Sequence, residues 1–347
     1  MNKTTSLFAW LTSTVILFCG GIEGAHSGTN VDKITPEQAG WSSQTLNEAA
    51  LKADELGYSA LTIWYDGKDM FSWGDVQKNY KCHSIRKAFL SALYGIYVEK
   101  GMIDLDLTIE ELKIDDTPSP LTESEKKATI RQLLQARSGI YHPAAGETAD
   151  MENSRPERGS HPPGTFFYYN NWDFNVLGTI FKQLTGEDIF EAFQKQVAVP
   201  IGMQDFDPSD CYYEWDRDKS EHPLYGFRMS ARDMARFGTL YLDRGVWRGK
   251  QIIPETWIVE STTSYSNMGA AGFGYMWGVI QKGTILSQLF GYPGYFFSGL
   301  GVHDLAIVPE SKYVLVLRMD TDDDFDFPDR AENGKLFQLI SDARPKQ

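Results

Sequence analysis

The pattern of apolar and polar residues predicts a helix followed by a hairpin near the start of the chain. In the segment 43–57 apolar residues recur at helical spacing, with Gly57 at the end, and they are Leu46, Ala49, Ala50, Ala53 and Leu56. Two extended runs, 58–65 and 69–73, flank Asp66-Gly67, a residue pair typical of a two-residue hairpin turn. The sequence therefore predicts the order helix, strand, turn and strand.

Helical periodicity returns after residue 84 and dominates the middle of the chain. Residues 84–100 predict a helix with one buried stripe, and the pieces 123–135 and 175–184 predict shorter helices. Loops rich in Pro, Gly and Asp separate these pieces, which places several irregular connections between residues 105 and 224. A further helix is predicted over 229–243, with Ser230 as its N-cap.

Strand character returns in the last third of the chain. The segments 274–280, 299–308 and 313–319 are rich in β-branched and aromatic residues, and a final helix is predicted over 331–343. Strands thus occur at both ends of the chain and helices in between. The simplest assembly is an α/β (α+β) fold with one central antiparallel sheet built from both chain ends, flanked by helices, with an inserted helical region.

The predicted organisation has three parts. Residues 1–25 form a leader, residues 26–110 together with 225–347 form the sheet part, and residues 111–224 form the helical region. The sheet part and the helical region are expected to build one unit.

The first 25 residues resemble a secretory signal peptide. Lys3 is followed by a mostly apolar stretch, 7–18, and by small residues at 20, 21, 24 and 25, where cleavage is expected. We therefore expect export to the periplasm or the outside of the cell, and no membrane span. Cys19 stands where a bacterial lipoprotein carries its lipid anchor, but Phe18 precedes it where a small residue is usual, which disfavours acylation.

Composition and charge exclude some classes of function. The chain has 33 Lys and Arg residues against 47 Asp and Glu residues, a net charge of −14, which disfavours nucleic-acid binding. No spacing of Cys and His resembles a zinc site, so no metal and no cofactor are expected. Cys82 and Cys211 remain after leader cleavage; export permits a disulfide between them, but two unpaired thiols are favoured.

An S-x-x-K pattern at Ser84 to Lys87 is the first candidate for chemistry. Residues three apart share a helix face, so the hydroxyl and the amine can approach each other. The start of a helix also offers free backbone N–H groups, which suits a nucleophile whose carbonyl adduct becomes negative. A second match, Ser124 to Lys127, has charged neighbours and indicates a solvated face. On its own, the first match is better explained by Ser84 as a helix N-cap.

A second motif strengthens the functional interpretation of the S-x-x-K pattern at Ser84. The run Pro163 to Asn171 precedes a helical stretch ending in Val176-Leu177-Gly178. It resembles the Y-x-N block of class C β-lactamases and their esterase, amidase and D-aminopeptidase relatives, with Tyr169 rather than Tyr168 at the tyrosine position. Asn170 and Asp173 stand where that family usually has Ser and Gly.

Four further blocks carry the same resemblance in the same order, and the resemblance covers about residues 34–343. They are 133–140, similar to an LL-x-H-T-S-G loop, 229–238, similar to an S-x-x-D-M-A-x-F-G helix, 253–257 and 272–277. The chain is therefore identified as a member of the serine β-lactamase and penicillin-binding-protein-like hydrolases, including the 6-aminohexanoate-dimer hydrolase-like members.

The resemblance implies a β-lactamase/transpeptidase-like fold and serine acyl transfer. In that scheme Ser84 is the nucleophile, Lys87 and Tyr169 exchange the proton, and Asn171 hydrogen-bonds Lys87 or the substrate. The backbone N–H groups of Ser84 and Leu300 form the oxyanion hole. A supporting role is expected for Tyr141, in the loop after residues 138–139.

The strand that carries K-T-G in β-lactamases corresponds to Phe297-Ser298-Gly299 here. Phe297 replaces the cation that would pair with a substrate carboxylate, which favours neutral esters or amides over penicillins and D-Ala-D-Ala peptides. Two alternatives stay open: a β-lactamase or D-Ala-D-Ala carboxypeptidase, and a non-catalytic protein that binds a ligand or partner in the pocket. Tyr292, Tyr295, Phe296 and Phe297 are candidates for an aromatic lining of the acyl site, with core packing as the open alternative. The acidic run 320–326 is expected to be a solvated turn.

Overall fold

A central antiparallel sheet of eight strands joins both ends of the chain. The computed structural model describes residues 31–345, so the predicted leader 1–25 and Cys19 lie outside the described residues. The strand order is β2-β1-β14-β13-β12-β11-β10-β9, and three two-stranded sheets, β3-β6, β4-β5 and β7-β8, accompany it. The first hairpin therefore pairs with the last strand, as the sequence predicts.

The strands are short at one edge of the sheet and six or seven residues long in its centre. They are β1 Ala60–Tyr65, β2 Lys68–Gly74, β3 Tyr80–Lys81, β4 Tyr212–Glu214, β5 Leu224–Gly226, β6 Arg228–Met229, β7 Val246–Trp247, β8 Lys250–Gln251, β9 Ser266–Asn267, β10 Gly272–Phe273, β11 Gly278–Ile280, β12 Gly294–Gly299, β13 His303–Val308 and β14 Tyr313–Arg318.

Helices cover both faces of the sheet and fill the middle of the chain. They are α1 Ser43–Glu55, α2 Arg86–Glu99, α3 Ile130–Leu134, α4 Ala149–Ser154, α5 Asn171–Thr185, α6 Ile189–Phe193, α7 Val199–Ile201, α8 Ala231–Leu242, α9 Glu255–Ser261, α10 Ile285–Leu289 and α11 Arg330–Asp342. A short 3₁₀ turn, His83–Ile85, leads directly into α2.

Local sequence signals account for several of these elements. Asp66 and Gly67 both have positive φ angles, 49° and 74°, as the predicted tight turn between β1 and β2 requires. Ser230 caps α8 by accepting a hydrogen bond from the backbone N–H of Asp233. Gly238 of α8 lets this helix lie close to the sheet, because a Cβ there would be 2.4 Å from Cγ1 of Val314.

Two apolar cores lie on opposite faces of the sheet. One face packs against α1 and α11 through small and branched side chains such as Leu46, Ala53, Leu336 and Ile340. The other face packs against α8, α2 and the helical region, and it contains Leu305, Ile307, Val314 and Val316. Successive side chains of β13 and β14 point to opposite faces of the sheet and therefore into different cores. The face to which a side chain points decides whether it can reach the region around Ser84.

Two predicted elements were wrong in extent. The expected helix 123–135 is a 3₁₀ turn, Glu125–Lys127, followed by α3, because Thr129 and Gln132 form a capping box that starts a new helix. The expected strand 274–280 is interrupted between β10 and β11, where Met276 has a φ angle of 57° and turns the chain.

Cys82 and Cys211 are free thiols, so the favoured prediction of unpaired cysteines is confirmed. Within residues 31–345, no helix combines the length and apolar character needed to cross a membrane. The boundaries expected between the sheet part and the helical region stay a prediction.

Candidate active site

Ser84 lies on the 3₁₀ turn that connects β3 to α2. Pairing of β3 with β6, and a 2.9 Å hydrogen bond from the Cys82 N–H to the Phe227 carbonyl, fix the chain just before the turn. Lys87 Nζ donates a 2.8 Å hydrogen bond to Ser84 Oγ, as the i, i+3 spacing predicts. Ser84 makes no side-chain cap for this helix, so the N-cap interpretation is wrong.

Lys87 is buried in an apolar and aromatic environment. Its side chain is 1% exposed, and Nζ lies 4.9 Å from the ring centroids of both Tyr169 and Phe174. Burial, followed by the positive charge of Arg86, holds the pKa of Lys87 well below its usual range. The lowered pKa favours the uncharged amine, which is the form that can accept a proton from Ser84.

Tyr169 occupies the end of the loop that precedes α5. Burial raises the pKa of its hydroxyl above the ordinary value, and the nearby Ser84 hydroxyl and the charge of Arg86 oppose this shift. Tyr169 therefore stays a neutral phenol. The neighbouring Tyr168 points elsewhere, because its hydroxyl donates to the Met151 carbonyl at 2.7 Å. Of the two tyrosines, Tyr169 is the one beside Ser84.

The end of β12 lies against the nucleophile turn. Gly299 permits this approach, since a Cβ there would be 2.9 Å from the Cys82 carbonyl oxygen and 3.2 Å from His83 Cβ. Pairing with β11 ends at Phe296, so the edge from Phe297 to Gly299 is paired only with β13. Leu300 follows at the tip of the hairpin and is 43% exposed.

Two other candidate residues make contacts that differ from the predicted ones. Ser298 is exposed, and its hydroxyl donates to the carboxylate of Asp304, the residue opposite it on β13. Asn171 Nδ2 donates to the Gly146 carbonyl at 2.6 Å, while its Oδ1 is buried with no hydrogen-bond partner. The structure therefore assigns Asn171 to the loop before α4 rather than to Lys87.

The expected aromatic lining is only partly near Ser84. Phe297 is buried in the core on the Ser84 side of the sheet. Phe296 and Tyr292 pack instead on the face covered by α1 and α11, because successive residues of a strand point to opposite faces. The Tyr295 hydroxyl donates to the Tyr241 carbonyl at 3.2 Å.

Tyr141 is buried, and its hydroxyl has no hydrogen-bond partner. Its ring makes edge contacts with His161 and Tyr168, and burial raises its pKa to about 12. The structure thus places Tyr141 in an aromatic group behind the loop that carries Tyr169.

Sequence reasoning missed a buried polar network at the start of α5. Asp173 accepts hydrogen bonds from Ser138 Oγ at 2.6 Å and from Asn170 Nδ2 at 3.0 Å. Burial raises the pKa of Asp173 well above its usual range, which favours the protonated carboxyl. Asn170 and Asp173 depart from the family pattern, and this departure could have indicated the network from the sequence. The network holds the loop before Tyr169.

The acidic run 320–326 was expected to be a solvated turn, and that expectation was partly wrong. Asp322 forms a two-bonded ion pair with Arg228 at 2.6 Å, and Asp320 pairs with Lys78. Thr321 Oγ1 lies 2.7 Å from His83 Nε2. The run is therefore attached to β3, β6 and the nucleophile turn.

One group of side chains has a composition that could hold a metal ion. Ligand atoms of Asp116, Glu221 and His222 lie within 4.8 Å of one another. Asp116 already accepts hydrogen bonds from Trp172 Nε1 and Ser220 Oγ, at 2.7 and 2.8 Å. Both ring nitrogens of His222 are likewise within hydrogen-bond distance of protein atoms. Asp116 and His222 thus belong to a buried hydrogen-bonded network of the helical region, whereas Glu221 is exposed.

Comparison with known proteins shows relatives in sequence and in fold. A search of curated sequences finds an uncharacterised protein of Alkalihalophilus pseudofirmus that is 25% identical, covering 70% of this chain and 74% of that protein. A Bacillus anthracis protein assigned as a 6-aminohexanoate-dimer hydrolase superposes with a TM-score of 0.62 at 22% identity, covering 83% of this chain and 80% of that one.

The hydrolase EstCE1, which has promiscuous acyltransferase activity, superposes with a TM-score of 0.61 at 15% identity, covering 88% of this chain and 99% of that one. The model of the Beta-lactamase family matches residues 60–338, most of the chain. The fold and the resemblance stated from sequence are thereby confirmed, and the chain belongs to the beta-lactamase family of serine hydrolases.

Proposed function

We propose that this protein is an exported serine hydrolase that cleaves a neutral ester or amide through an acyl-enzyme on Ser84. The observation that carries the proposal is the 2.8 Å hydrogen bond between Ser84 Oγ and the amine of Lys87, which is buried and has a lowered pKa. A buried amine without charge is a general base, and a hydroxyl within hydrogen-bond distance of it is an activated nucleophile.

The directions of the two pKa shifts assign the proton-transfer roles. Lys87, with a lowered pKa, accepts the Ser84 proton as the oxygen attacks the carbonyl carbon. Tyr169, with a raised pKa, keeps its proton and donates a hydrogen bond or the proton itself to the leaving oxygen or nitrogen. Water then attacks the acyl-enzyme by the reverse proton path, which releases the acid and restores Ser84.

Negative charge that develops on the carbonyl oxygen needs hydrogen-bond donors fixed in advance. The backbone N–H groups of Ser84 and Leu300 are the proposed donors. Gly299 supports this assignment, because its close approach to Cys82 and His83 brings the end of β12 against the nucleophile turn.

The preference for uncharged substrates rests on Phe297. This side chain is buried and apolar at the strand position where a cation would bind a substrate carboxylate. The net charge of −14 also disfavours anionic substrates over the whole surface. The hydrolase activities named for the structural neighbours belong to the same reaction class.

The test compares the wild type with Ser84→Ala and Ser124→Ala, the matched serine of the second S-x-x-K pattern. Hydrolysis of a p-nitrophenyl ester and labelling by a fluorophosphonate should be lost only in Ser84→Ala. Retained turnover in Ser84→Ala would refute the mechanism. Rapid nitrocefin hydrolysis by the wild type would instead favour the β-lactamase alternative, and no labelling at all would favour a binding protein.

Export rests on the signal-like segment 1–25 alone. N-terminal sequencing of the protein recovered from the periplasm or medium should begin near residues 21–25. A mature chain that keeps residue 1, or that is acylated at Cys19, would contradict the proposed processing.

A further inference from the structure

His83, immediately before the nucleophile, has an unusual backbone conformation. Its φ angle is 45°, in the left-handed region that residues other than glycine rarely adopt. Such strain persists only where the surrounding structure enforces it, and it often accompanies a functional constraint. The residue therefore requires an explanation from its contacts.

Three contacts hold the His83 side chain and backbone in place. His83 Nε2 lies 2.7 Å from Thr321 Oγ1, and the His83 and His303 rings are 5.2 Å apart between centroids. Gly299 fits between the two histidines, since a Cβ there would be 3.2 Å from His83 Cβ and 3.3 Å from His303 Cβ. The nucleophile turn, β12, β13 and the segment after β14 all meet at this residue.

We propose that His83 is a positioning residue which, as a neutral imidazole bonded to Thr321, holds Ser84 in register with the proposed oxyanion donor of Leu300. This inference rests on the proposed function. The strained φ sets the direction in which Ser84 leaves the turn, and the side-chain bond to Thr321 keeps that conformation. The imidazole itself does not touch the substrate or transfer a proton.

The electrostatic surroundings keep the imidazole neutral. Burial is the largest cause that lowers the pKa of His83, to about 4, and the cations Arg318 and Lys81 lower it further. The one opposing charge, Asp322, is engaged by Arg228 and Lys81. His303 is buried, accepts the Met319 N–H at Nδ1, and its pKa is also lowered by burial. Neutral rings can pack at this spacing, whereas two imidazolium ions would repel each other.

The first test uses His83→Ala, Thr321→Ala and their double variant, with Thr321→Ser as the matched control that keeps the hydroxyl. His83→Ala should lower kcat for the ester about 30-fold and leave KM within about twofold, because a small misplacement of a reacting atom is costly. Thr321→Ala should lower kcat about 10-fold, and Thr321→Ser about twofold at most.

The double variant should be no slower than His83→Ala, because both changes remove the same interaction. Rates are expressed per active site titrated with the fluorophosphonate, so that misfolded protein does not count. Independent, multiplicative effects, or unchanged kcat in both single variants, would overturn the inference. If Ser84→Ala is inactive while the His83 and Thr321 variants are fully active, only the role of His83 is overturned. If Ser84→Ala is active, the proposed function itself is overturned.

His83→Gly separates the backbone contribution from the side chain. Glycine adopts a positive φ without strain, so this variant should be more thermally stable than His83→Ala yet equally slow. Recovery of the full kcat in His83→Gly would show that only the φ angle matters and would refute the role of the imidazole.

Discussion

Lys87→Met should make the protein more stable while abolishing turnover. Lys87 is 1% exposed, and its amine forms a 2.8 Å hydrogen bond with Ser84 Oγ. Removing that bond costs about 1 kcal/mol, and Ser84 is half-buried, so its hydroxyl can turn to solvent. Relieving the burial of an amine gains about 1–3 kcal/mol, and methionine fills a similar volume. The expected net gain at pH 7 is about 0–2 kcal/mol.

The pH dependence of this gain follows from the lowered pKa of Lys87. Between the folded pKa and the ordinary lysine value, the unfolded chain binds more protons than the folded one. Wild-type stability therefore rises with pH in that window, by at most about 1.4 kcal/mol per pH unit. Lys87→Met lacks this slope, so its advantage over the wild type should shrink as the pH approaches 10.

The assay is urea denaturation at pH 6, 7, 8 and 9, followed by fluorescence, beside ester hydrolysis at each pH. Lys127→Met is the matched control, because Lys127 is exposed in the second S-x-x-K pattern and should change neither stability nor turnover. A Lys87→Met variant that is less stable than the wild type, or whose advantage does not vary with pH, would show that the folded protein holds a charged Lys87.

Three further outcomes are expected. The kcat/KM of the wild type should rise with pH as Lys87 loses its proton, and it should stay high to about pH 10, because Tyr169 keeps its proton beyond that point; a fall below pH 8 would contradict these roles. Asp173→Asn should keep the wild-type Tm, whereas Asp173→Ala should lower stability by about 2 kcal/mol through lost hydrogen bonds; equal Tm values for the two variants would contradict a neutral, bonded carboxyl. Gly334→Ala in α11 should raise stability by about 0.5–1 kcal/mol by urea denaturation, because a Cβ there meets no atom within 4 Å; destabilisation would contradict the described packing of α11.

The features that could be predicted from the sequence depend on signals between close neighbours in the chain. The hairpin turn at Asp66-Gly67, the cap at Ser230 and the i, i+3 pair of Ser84 and Lys87 each depend on a few neighbouring residues, and all three are present. Tyr169 was chosen over Tyr168 by counting along a motif, and the hydroxyl of Tyr168 indeed points to Met151.

The predictions that were wrong depend on strand register and on partners that are far away in the sequence. Phe296 and Ser298 lie one residue on either side of Phe297, and only the pairing of β12 with β13 decides which face each one occupies. The bond of Asn171 to Gly146 crosses 25 residues, and that of Asp322 to Arg228 crosses 94. A local sequence motif does not show which residues lie close together across such separations.

The pairing of β1 with β14 has a consequence for how the chain folds. Ala60–Tyr65 is hydrogen-bonded to Tyr313–Arg318, so the centre of the sheet cannot close until residue 318 has left the ribosome. Contacts of such long sequence separation slow folding, and meanwhile β1 presents an unpaired apolar edge. We expect nascent chains to remain without the closed sheet until residue 318 has emerged, and to depend on holding factors against aggregation until then.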